Sequence, residues 1–268
     1  MTIRFTKSNK LRNKLILTQE EQFRRLFKKA FKLIQEKIVT TGLHSSKGNL
    51  SGIYVQKLKS LSKFIVKSYS ELIPKIESVI TDNLFVVTES VVKEFERKSN
   101  TDIKDSKSFV QGIVSSVILG HIYDTNWTLH KAVSNYPKYV KKLVDTIIQD
   151  GITDGKSAEE ITDTILSVLD PSAPPEKRKY VAKSGMVHTG KIDADVQKIA
   201  KTTLVHDYER AVIGTAMVLE GRVFIRWISA LAPNTCELCE QRHNQLYEPE
   251  DVPLEHPNGQ CELQIEIL

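Results

Sequence analysis

Hydrophobic residues recur at intervals of three and four positions along most of the chain before residue 170, which is the period of an amphipathic α-helix. A polar stretch rich in glycine and serine, residues 40–52, interrupts this pattern. A further periodic run covers residues 109–131. We therefore expect residues 18–170 to form an elongated, mainly helical region. The apolar positions that share a helix face before residue 97 are Phe23, Leu26, Phe27, Ala30, Phe31, Ile34, Ile38, Leu58, Leu61, Phe64, Ile65, Tyr69, Leu72, Ile76, Ile80, Leu84, Val87, Val91 and Phe95.

Two short sequences have the spacing of a capping box, in which a serine or threonine and a glutamate three residues later bond each other's backbone. They are Thr18–Glu21 and Ser157–Glu160. The first predicts a helix start at Thr18, and the second predicts a short helix that ends before Pro171. Three prolines and a basic cluster follow, so residues 171–192 are predicted to be a linker.

The apolar pattern changes its period after the linker. Residues 193–220 again have a helical stripe, whereas Val223–Ile228 is rich in β-branched and aromatic residues, as strands are. In Cys261–Ile267 apolar residues alternate with polar ones, which is the pattern of a half-buried strand. Antiparallel pairing would make the intervening residues a connection between the two strands. The predicted fold class is mainly α, with a small α+β module at the C-terminus built from one long helix and short antiparallel strands.

These patterns divide the chain into four predicted segments: a basic N-terminal arm (1–17), a helical region (18–170), a linker (171–192) and a C-terminal module (193–268). With 40% hydrophobic and 26% charged residues, the composition is that of a soluble globular protein. The most apolar stretch is too short to span a bilayer, and the N-terminus lacks the apolar segment of a signal peptide. We therefore expect the protein to fold in the cytosol and to have no membrane partner.

Positive charge is concentrated near the N-terminus. Residues 1–40 contain 11 lysines and arginines against three glutamates, while the formal net charge of the whole chain is only +5. A basic surface of this kind can neutralise nucleic-acid phosphates or contact an acidic protein. A solvated helix face is an equally good interpretation, because no motif that reads bases accompanies the charge. The residues predicted for such a contact are Arg4, Lys7, Lys10, Arg12, Lys14, Arg24, Arg25, Lys28 and Lys29.

All three cysteines, Cys236, Cys239 and Cys261, lie in the last 33 residues. Two cysteines separated by two residues, followed after 16 residues by a His-x4-Cys pair, have the spacing of a tetrahedral Cys3His zinc site. Three cysteines cannot all pair in disulfides. The predicted ligands of a Zn²⁺ ion are therefore Cys236, Cys239, His256 and Cys261. Four protein ligands leave no position for water, so this zinc would be structural.

Two alternatives to this interpretation stay open at the level of sequence. His243 lies near the first two cysteines and could replace His256 as the nitrogen ligand. The turn sequence Pro257–Gly259 favours His256, because it returns the chain sharply and brings this histidine towards Cys261. The other alternative is a set of three reduced cysteines without a metal, since free cysteine is often simply a small core residue.

Four stretches in the last quarter of the chain together carry a resemblance: Ile199–Thr203, Trp227–Ala230, Thr235–Cys239 and His256–Cys261. They resemble the C-terminal domain of the Mu F-like minor head proteins, a phage head morphogenesis family with the approximate pattern IARTE … W … D-x-x-T-C-x-x-C … HPxCRC. The most specific features are the tryptophan nine residues before the first cysteine and the HPN turn. The family usually has glutamate, aspartate and cysteine at the positions of Thr203, Ala232 and Gly259.

The resemblance implies a minor head protein that binds the portal protein in capsid assembly and acts in DNA packaging or ejection. It suggests major capsid or scaffold protein as further partners, and the basic residues between Arg4 and Lys37 suggest packaged DNA as another. The implied location is the virion, inside the head near the portal, after assembly in the host cytoplasm. We expect no enzymatic activity, because no catalytic motif is recognised. The alternative functions are a nucleic-acid-binding zinc module and, less favoured, a metal-dependent hydrolase or toxin-like effector, which would need an open metal position.

Overall fold

A computed structural model describes residues 1–48, 50–120, 127–229, 231, 233, 235–257 and 259–268. The chain is mainly helical and has a small antiparallel sheet of short strands, which confirms the predicted fold class. Part of the periodic run predicted for residues 109–131 lies outside the described residues, as do three positions of the family resemblance, Ala230, Ala232 and Asn258.

The helices account for most of the described residues. They are α1 (Thr6–Thr40), α2 (Gly52–Ser70), α3 (Ile73–Ser99), α4 (Ser106–Leu119), α5 (Leu129–Ser134), α6 (Tyr136–Thr153), α7 (Ala158–Leu169), α8 (Ile192–Ala216) and α9 (Glu237–Arg242). The strands are β1 (Thr2–Arg4), β2 (Lys179–Val181), β3 (Val187–Thr189), β4 (Val223–Ile228), β5 (Leu246–Tyr247) and β6 (Glu262–Ile267).

One of the two predicted capping boxes is confirmed. Ser157 accepts a bond from the Glu160 backbone N–H at 3.2 Å, and the Glu160 carboxylate accepts one from the Ser157 N–H at 2.7 Å. The prediction that a helix starts at Thr18 is wrong. This residue lies inside α1, where its hydroxyl donates to the Lys14 carbonyl at 3.0 Å. A capping box needs a non-helical residue at its start, and α1 already begins at Thr6.

Residues 1–17, predicted to be a basic arm, are folded. β1 pairs with β6 in antiparallel fashion, and α1 begins two residues after this strand. The alternating residues Ile3 and Phe5 are buried, so this short segment is fixed by burial of apolar side chains and by strand pairing. The basic residues of this segment therefore belong to an ordered surface.

The described chain forms two compact units, each assembled from separate stretches of sequence. We call the first the sheet unit, which comprises residues 1–19, 77–130 and 198–268. The second, which we call the helical unit, comprises residues 20–76 and 131–197.

In the helical unit, α2 packs against α6, and α6 packs against α7. Ser62 on α2 donates to Asp145 on α6 at 2.6 Å. Residues 171–192, predicted to be a linker, contain a 3-10 turn and the β2–β3 hairpin. Arg178 fixes this segment to the start of α8, because its buried guanidinium forms an ion pair with Asp193 at 2.5 Å.

Gly190 is a position in the helical unit that accepts only glycine. Its N–H donates to the Arg178 carbonyl at 2.9 Å, and a Cβ atom here would overlap the backbone carbonyl of Val168. Because backbone cannot move aside as a flexible side chain does, Gly190→Ala should lower the free energy of unfolding by about 1–3 kcal/mol. Urea unfolding of the helical unit measures this loss. Gly52→Ala, at the start of α2 in the same unit, is the control, since no atom lies within 4 Å of a Cβ built there, and it should be neutral or stabilising by up to about 1 kcal/mol.

The sheet of the sheet unit has the strand order β1-β6-β4-β5, with every neighbouring pair antiparallel. The predicted pairing of β4 with β6 is confirmed, with Ile225 opposite Ile265 and Trp227 opposite Leu263. These four side chains are fully buried. The connection from β4 to β6 contains all three cysteines, so the central strand pair places both ends of the candidate site close together.

Asp207, on α8 in the sheet unit, is a buried carboxyl group. It accepts a bond from the Thr88 hydroxyl at 2.8 Å, and burial raises its pKa well above the ordinary value of 3.8. The folded state therefore binds the proton more tightly than the unfolded state. The stability that this proton gives is present below about pH 4 and is lost as the pH rises towards the raised folded pKa.

Asp207→Asn should remove this dependence on pH. The free energy of unfolding of the wild type, relative to that of the variant, should decrease as the pH rises from about 4 towards the raised folded pKa of Asp207. Urea midpoints measured across this range test the prediction. Asp82→Asn changes an exposed carboxylate on α3 and serves as the control. Equal pH slopes for the wild type and Asp207→Asn would contradict the assignment.

Candidate metal centre

The sulfur ligands lie at helix α9 and on the segment before β6. Cys236 is the residue before α9, with extended backbone angles of φ −78° and ψ 155°, and Cys239 lies within that helix. The bend into the helix turns both thiols towards the return segment before β6, which contains His256 and Cys261. Ser229, directly after β4, donates from its hydroxyl to the Cys239 carbonyl and so ties α9 to the strand.

His256 faces the first two cysteines. Its Nε2 atom lies 3.2 Å from Cys236 Sγ and 3.1 Å from Cys239 Sγ. Its Nδ1 atom lies 3.1 Å from the Pro257 carbonyl, which can only accept a hydrogen bond. Nδ1 must therefore carry the proton, and the lone pair of Nε2 points at the two thiols. Sulfur and nitrogen ligands of a tetrahedral Zn²⁺ are separated by about 3.5 Å, which is close to the observed spacing.

A second group of donor atoms adjoins the first through Cys239. The Sγ atoms of Cys239 and Cys261 and a carboxylate oxygen of Glu255 lie within 4.8 Å of one another. Cys261 Sγ also lies 3.7 Å from the Ser229 hydroxyl. The four predicted ligands, Cys236, Cys239, His256 and Cys261, thus form one Cys/His cluster that could bind a metal.

His243, the alternative nitrogen ligand, takes another role among the described residues. Its Nδ1 atom accepts a hydrogen bond from the Ser229 N–H at 3.1 Å. The residue follows α9 and closes the chain back towards β4, since the next residue, Asn244, donates its N–H to the Trp227 carbonyl at 2.8 Å. Between the two histidines, it is His256 that the structure brings to the thiols.

Glu255 is a member of the site that sequence reasoning missed. Its side chain is fully buried, and Oε1 lies 3.4 Å from Cys239 Sγ and 3.5 Å from His256 Nε2. Its other oxygen, Oε2, accepts a bond from the Cys261 N–H at 2.7 Å. The only sequence signal was its position directly before His256, and glutamates at such positions are usually exposed.

The surroundings of the thiols favour their neutral form. Burial, followed by the negative charge of Glu255, raises the pKa of Cys239 far above its ordinary value, and burial together with Glu255 raises that of Cys261 to about 11. A metal ion binds the thiolate and reverses this preference through its own charge. Metal binding at this cluster must therefore release protons.

Helix α8 holds the segment that contains Glu255. The imidazole of His206 bonds the Glu255 carbonyl at 2.8 Å, and the Glu209 carboxylate accepts a bond from the Glu255 N–H at 3.2 Å. Both side chains are buried. Burial lowers the pKa of His206, so its imidazole is neutral and donates a single N–H to the carbonyl.

Arg12 fixes the chain on the other side of the cluster. Its guanidinium donates to the carbonyls of Cys261 at 3.1 Å and Gln260 at 3.4 Å, and it stacks 4.6 Å from the centre of the Tyr208 ring. The prediction that Arg12 contacts a nucleic acid or protein partner is wrong, because its side chain is fully buried. The other basic residues of that set are exposed: Arg4, Lys7, Lys10 and Lys14 in the sheet unit, and Arg24, Arg25, Lys28 and Lys29 in the helical unit.

Comparison with known proteins adds no relative: no family model, curated protein or solved structure matches the chain. Among the described helices, none is long and apolar enough to cross a membrane. The site is therefore classified from its own donor groups as a candidate metal site, with three thiols, one imidazole and one buried carboxyl group.

Proposed function

We propose that the Cys/His cluster holds a structural zinc ion, and that the protein is a phage minor head protein that works by binding other proteins of the head. The observation that carries this proposal is the convergence of Cys236, Cys239 and His256 at zinc-ligand spacing. These residues also carry the family resemblance. Trp227, the other specific feature of the pattern, is fully buried on β4, with the Arg242 guanidinium 5.1 Å from its ring centre.

The donor set fits zinc. Thiolate and imidazole are the ligands that structural zinc prefers, and carboxylate is also accepted. The ion would join α9 to the segment before β6, so that the two ends of the long connection between β4 and β6 are held together. Structural zinc supplies about 10–16 kcal/mol of apparent folding free energy in small modules. This is large compared with the free energy that a sheet of this size gains by burying apolar surface.

The first partner we propose is the portal protein, with major capsid or scaffold protein as further partners. The location that follows is the interior of the head near the portal, reached from the host cytoplasm during assembly. This part of the proposal is supported by the family resemblance. A metal held by four protein ligands has no open position for substrate, which favours a binding role over catalysis.

Co-purification with particles tests the binding role. Full-length protein with an affinity tag is isolated from infected cells, and the portal protein is quantified in the eluate. We expect the portal protein to co-purify with the wild type and the His243→Asn variant, and to be lost with Cys239→Ser. If the wild type associates with neither portal nor particles, and instead turns over a phosphoester or peptide substrate, the proposed function is wrong.

DNA is a second candidate partner because the two units differ in charge. The helical unit contains 22 lysines and arginines against 14 acidic residues, whereas the sheet unit contains 16 against 19. Three exposed cations on one stretch of α1, Arg24, Lys28 and Lys29, could contact phosphates. Three such contacts predict that duplex binding weakens about 40-fold between 50 and 200 mM salt.

The salt dependence of DNA binding tests this second function. A plot of the logarithm of the DNA-binding constant against the logarithm of the salt concentration has a negative slope. Replacing Arg24, Lys28 and Lys29 by glutamine should make this slope less steep by about 2.7. The control is the same replacement of three exposed lysines of the sheet unit, Lys104, Lys107 and Lys198. If the two triple variants and the wild type have the same slope, the helical unit is not a DNA-binding surface.

A further inference from the structure

Glu255 places a fully buried carboxyl group next to Cys239 and His256. Its side chain has no exposed surface, and within the described part of the chain His256 is the one basic side chain within salt-bridge distance. Burial of an unpaired carboxylate is costly, and buried charges are therefore paired or coordinate metals. The carboxylate is also oriented, because the Cys261 N–H holds Oε2 at 2.7 Å and leaves Oε1 directed at the cluster.

We infer that Glu255 Oε1 is the fourth ligand of the proposed zinc ion, together with Cys236, Cys239 and His256, and that Cys261 acts through its backbone N–H. This inference rests on the proposed zinc site. Oxygen and sulfur or nitrogen ligands of a tetrahedral zinc lie about 3.4–3.5 Å apart. Glu255 Oε1 lies 3.4 Å from Cys239 Sγ and 3.5 Å from His256 Nε2, so it meets this spacing towards two ligands at once.

The Cys261 thiol is placed differently. The thiol groups with Cys239 and Glu255, outside the mutually close group of Cys236, Cys239 and His256. Glu255 belongs to the same second group, but its Oε1 also lies 3.5 Å from His256 Nε2. The Cys261 Sγ atom lies 3.7 Å from the Ser229 hydroxyl. Two thiolates with one carboxylate carry the same charge as three thiolates, so net charge does not separate the two ligand sets, and the geometry does.

Gly259 provides the space for this carboxylate. A Cβ atom at this position would overlap Cγ, Cδ and Oε1 of Glu255. Because glycine has no Cβ, position 259 leaves room for the carboxyl group that supplies the proposed oxygen ligand.

X-ray absorption at the zinc K-edge of the full-length wild-type protein tests the ligand set without any substitution. We expect two sulfur and two nitrogen or oxygen neighbours. Three sulfur neighbours would overturn the inference while leaving the zinc proposal intact. Absence of zinc would overturn both, so the two failures are distinguishable.

Substitutions then identify the ligands individually. Glu255→Gln should weaken zinc binding by more than the 10–100-fold typical of residues outside the ligand shell. Cys261→Ser should leave the zinc stoichiometry unchanged. The sulfur-to-metal charge-transfer absorption of the Co²⁺-substituted variant should also equal that of the Co²⁺-substituted wild type. Glu209→Gln is the matched control, because the buried carboxyl group of Glu209 contacts Glu255 only at the Glu255 backbone N–H. Full retention of zinc affinity in Glu255→Gln would contradict the inference.

A double-mutant cycle tests the coupling between positions 255 and 259. Gly259→Ala should displace the Glu255 carboxyl group and weaken zinc binding about as strongly as Glu255→Ala does. In a Glu255→Ala background the clash is absent, so the added alanine should change the affinity by less than about twofold. Additive effects in this cycle would count against the inference.

Discussion

Replacing Cys239 with serine is expected to abolish stoichiometric zinc binding and to loosen the connection between β4 and β6. Cys239 is the donor shared by both groups of the cluster, and its thiol is buried. Because structural zinc supplies about 10–16 kcal/mol in small modules, loss of one thiolate ligand should lower the local stability by on the order of 5 kcal/mol or more. Hydrogen exchange of the β4 and β6 amides measures this loss.

The same substitution should leave most of the helical content intact. The helical unit has its own core, which includes contacts such as Phe27 with Tyr69, whose ring centres are 5.9 Å apart. Far-UV circular dichroism of Cys239→Ser should therefore stay close to that of the wild type. His243→Asn keeps an acceptor for the Ser229 N–H and is the matched control, with full zinc content expected. Unchanged zinc content and unchanged exchange in Cys239→Ser would contradict a structural metal.

Arg12→Met is expected to have the second largest effect. It removes the donors for the Cys261 and Gln260 carbonyls and the stacking on Tyr208. Buried acceptors left without a donor cost about 1–3 kcal/mol each, so the sheet unit should lose about 2–4 kcal/mol. Exchange rates of the β6 amides next to Cys261 measure this loss.

Two variants calibrate the effect of Arg12→Met. Arg12→Lys keeps the positive charge but loses the planar fork, and it should have an intermediate effect. Lys10→Met changes an exposed residue on the same helix and should stay within about 0.5 kcal/mol of the wild type. Equal β6 protection in Arg12→Met and Lys10→Met would show that the buried guanidinium does not hold this segment.

The parts of the fold that could be predicted are those with a local, repeated signal. Apolar residues at helical spacing marked the long helices, and the alternation after Cys261 marked β6 as the partner of β4. The Ser157–Glu160 capping box fixed the start of α7, because both bonds of the motif are formed between residues three apart. The spacing of the cysteines nominated the donors that the structure brings together at the cluster.

The features that were missed depend on contacts between residues far apart in the sequence. β1 has only three residues, and its signal lies in pairing with β6 at the other end of the chain. Arg12 belonged to a basic run, yet its partners are carbonyls at residues 260 and 261. Glu255 was hidden for the same reason, since its burial depends on α8 and on the space left by Gly259. No local pattern distinguishes such residues from solvated charges.

The metal content of the wild-type protein is the most direct test of the central claim, that the Cys/His cluster holds a structural zinc ion. Full-length protein purified without chelators or metal-affinity steps is analysed by native mass spectrometry and by elemental analysis. We predict one zinc ion per chain, which is lost with a strong chelator together with the protection of the β4 and β6 amides. Protein with almost no zinc, in which these amides are still protected, would contradict the account.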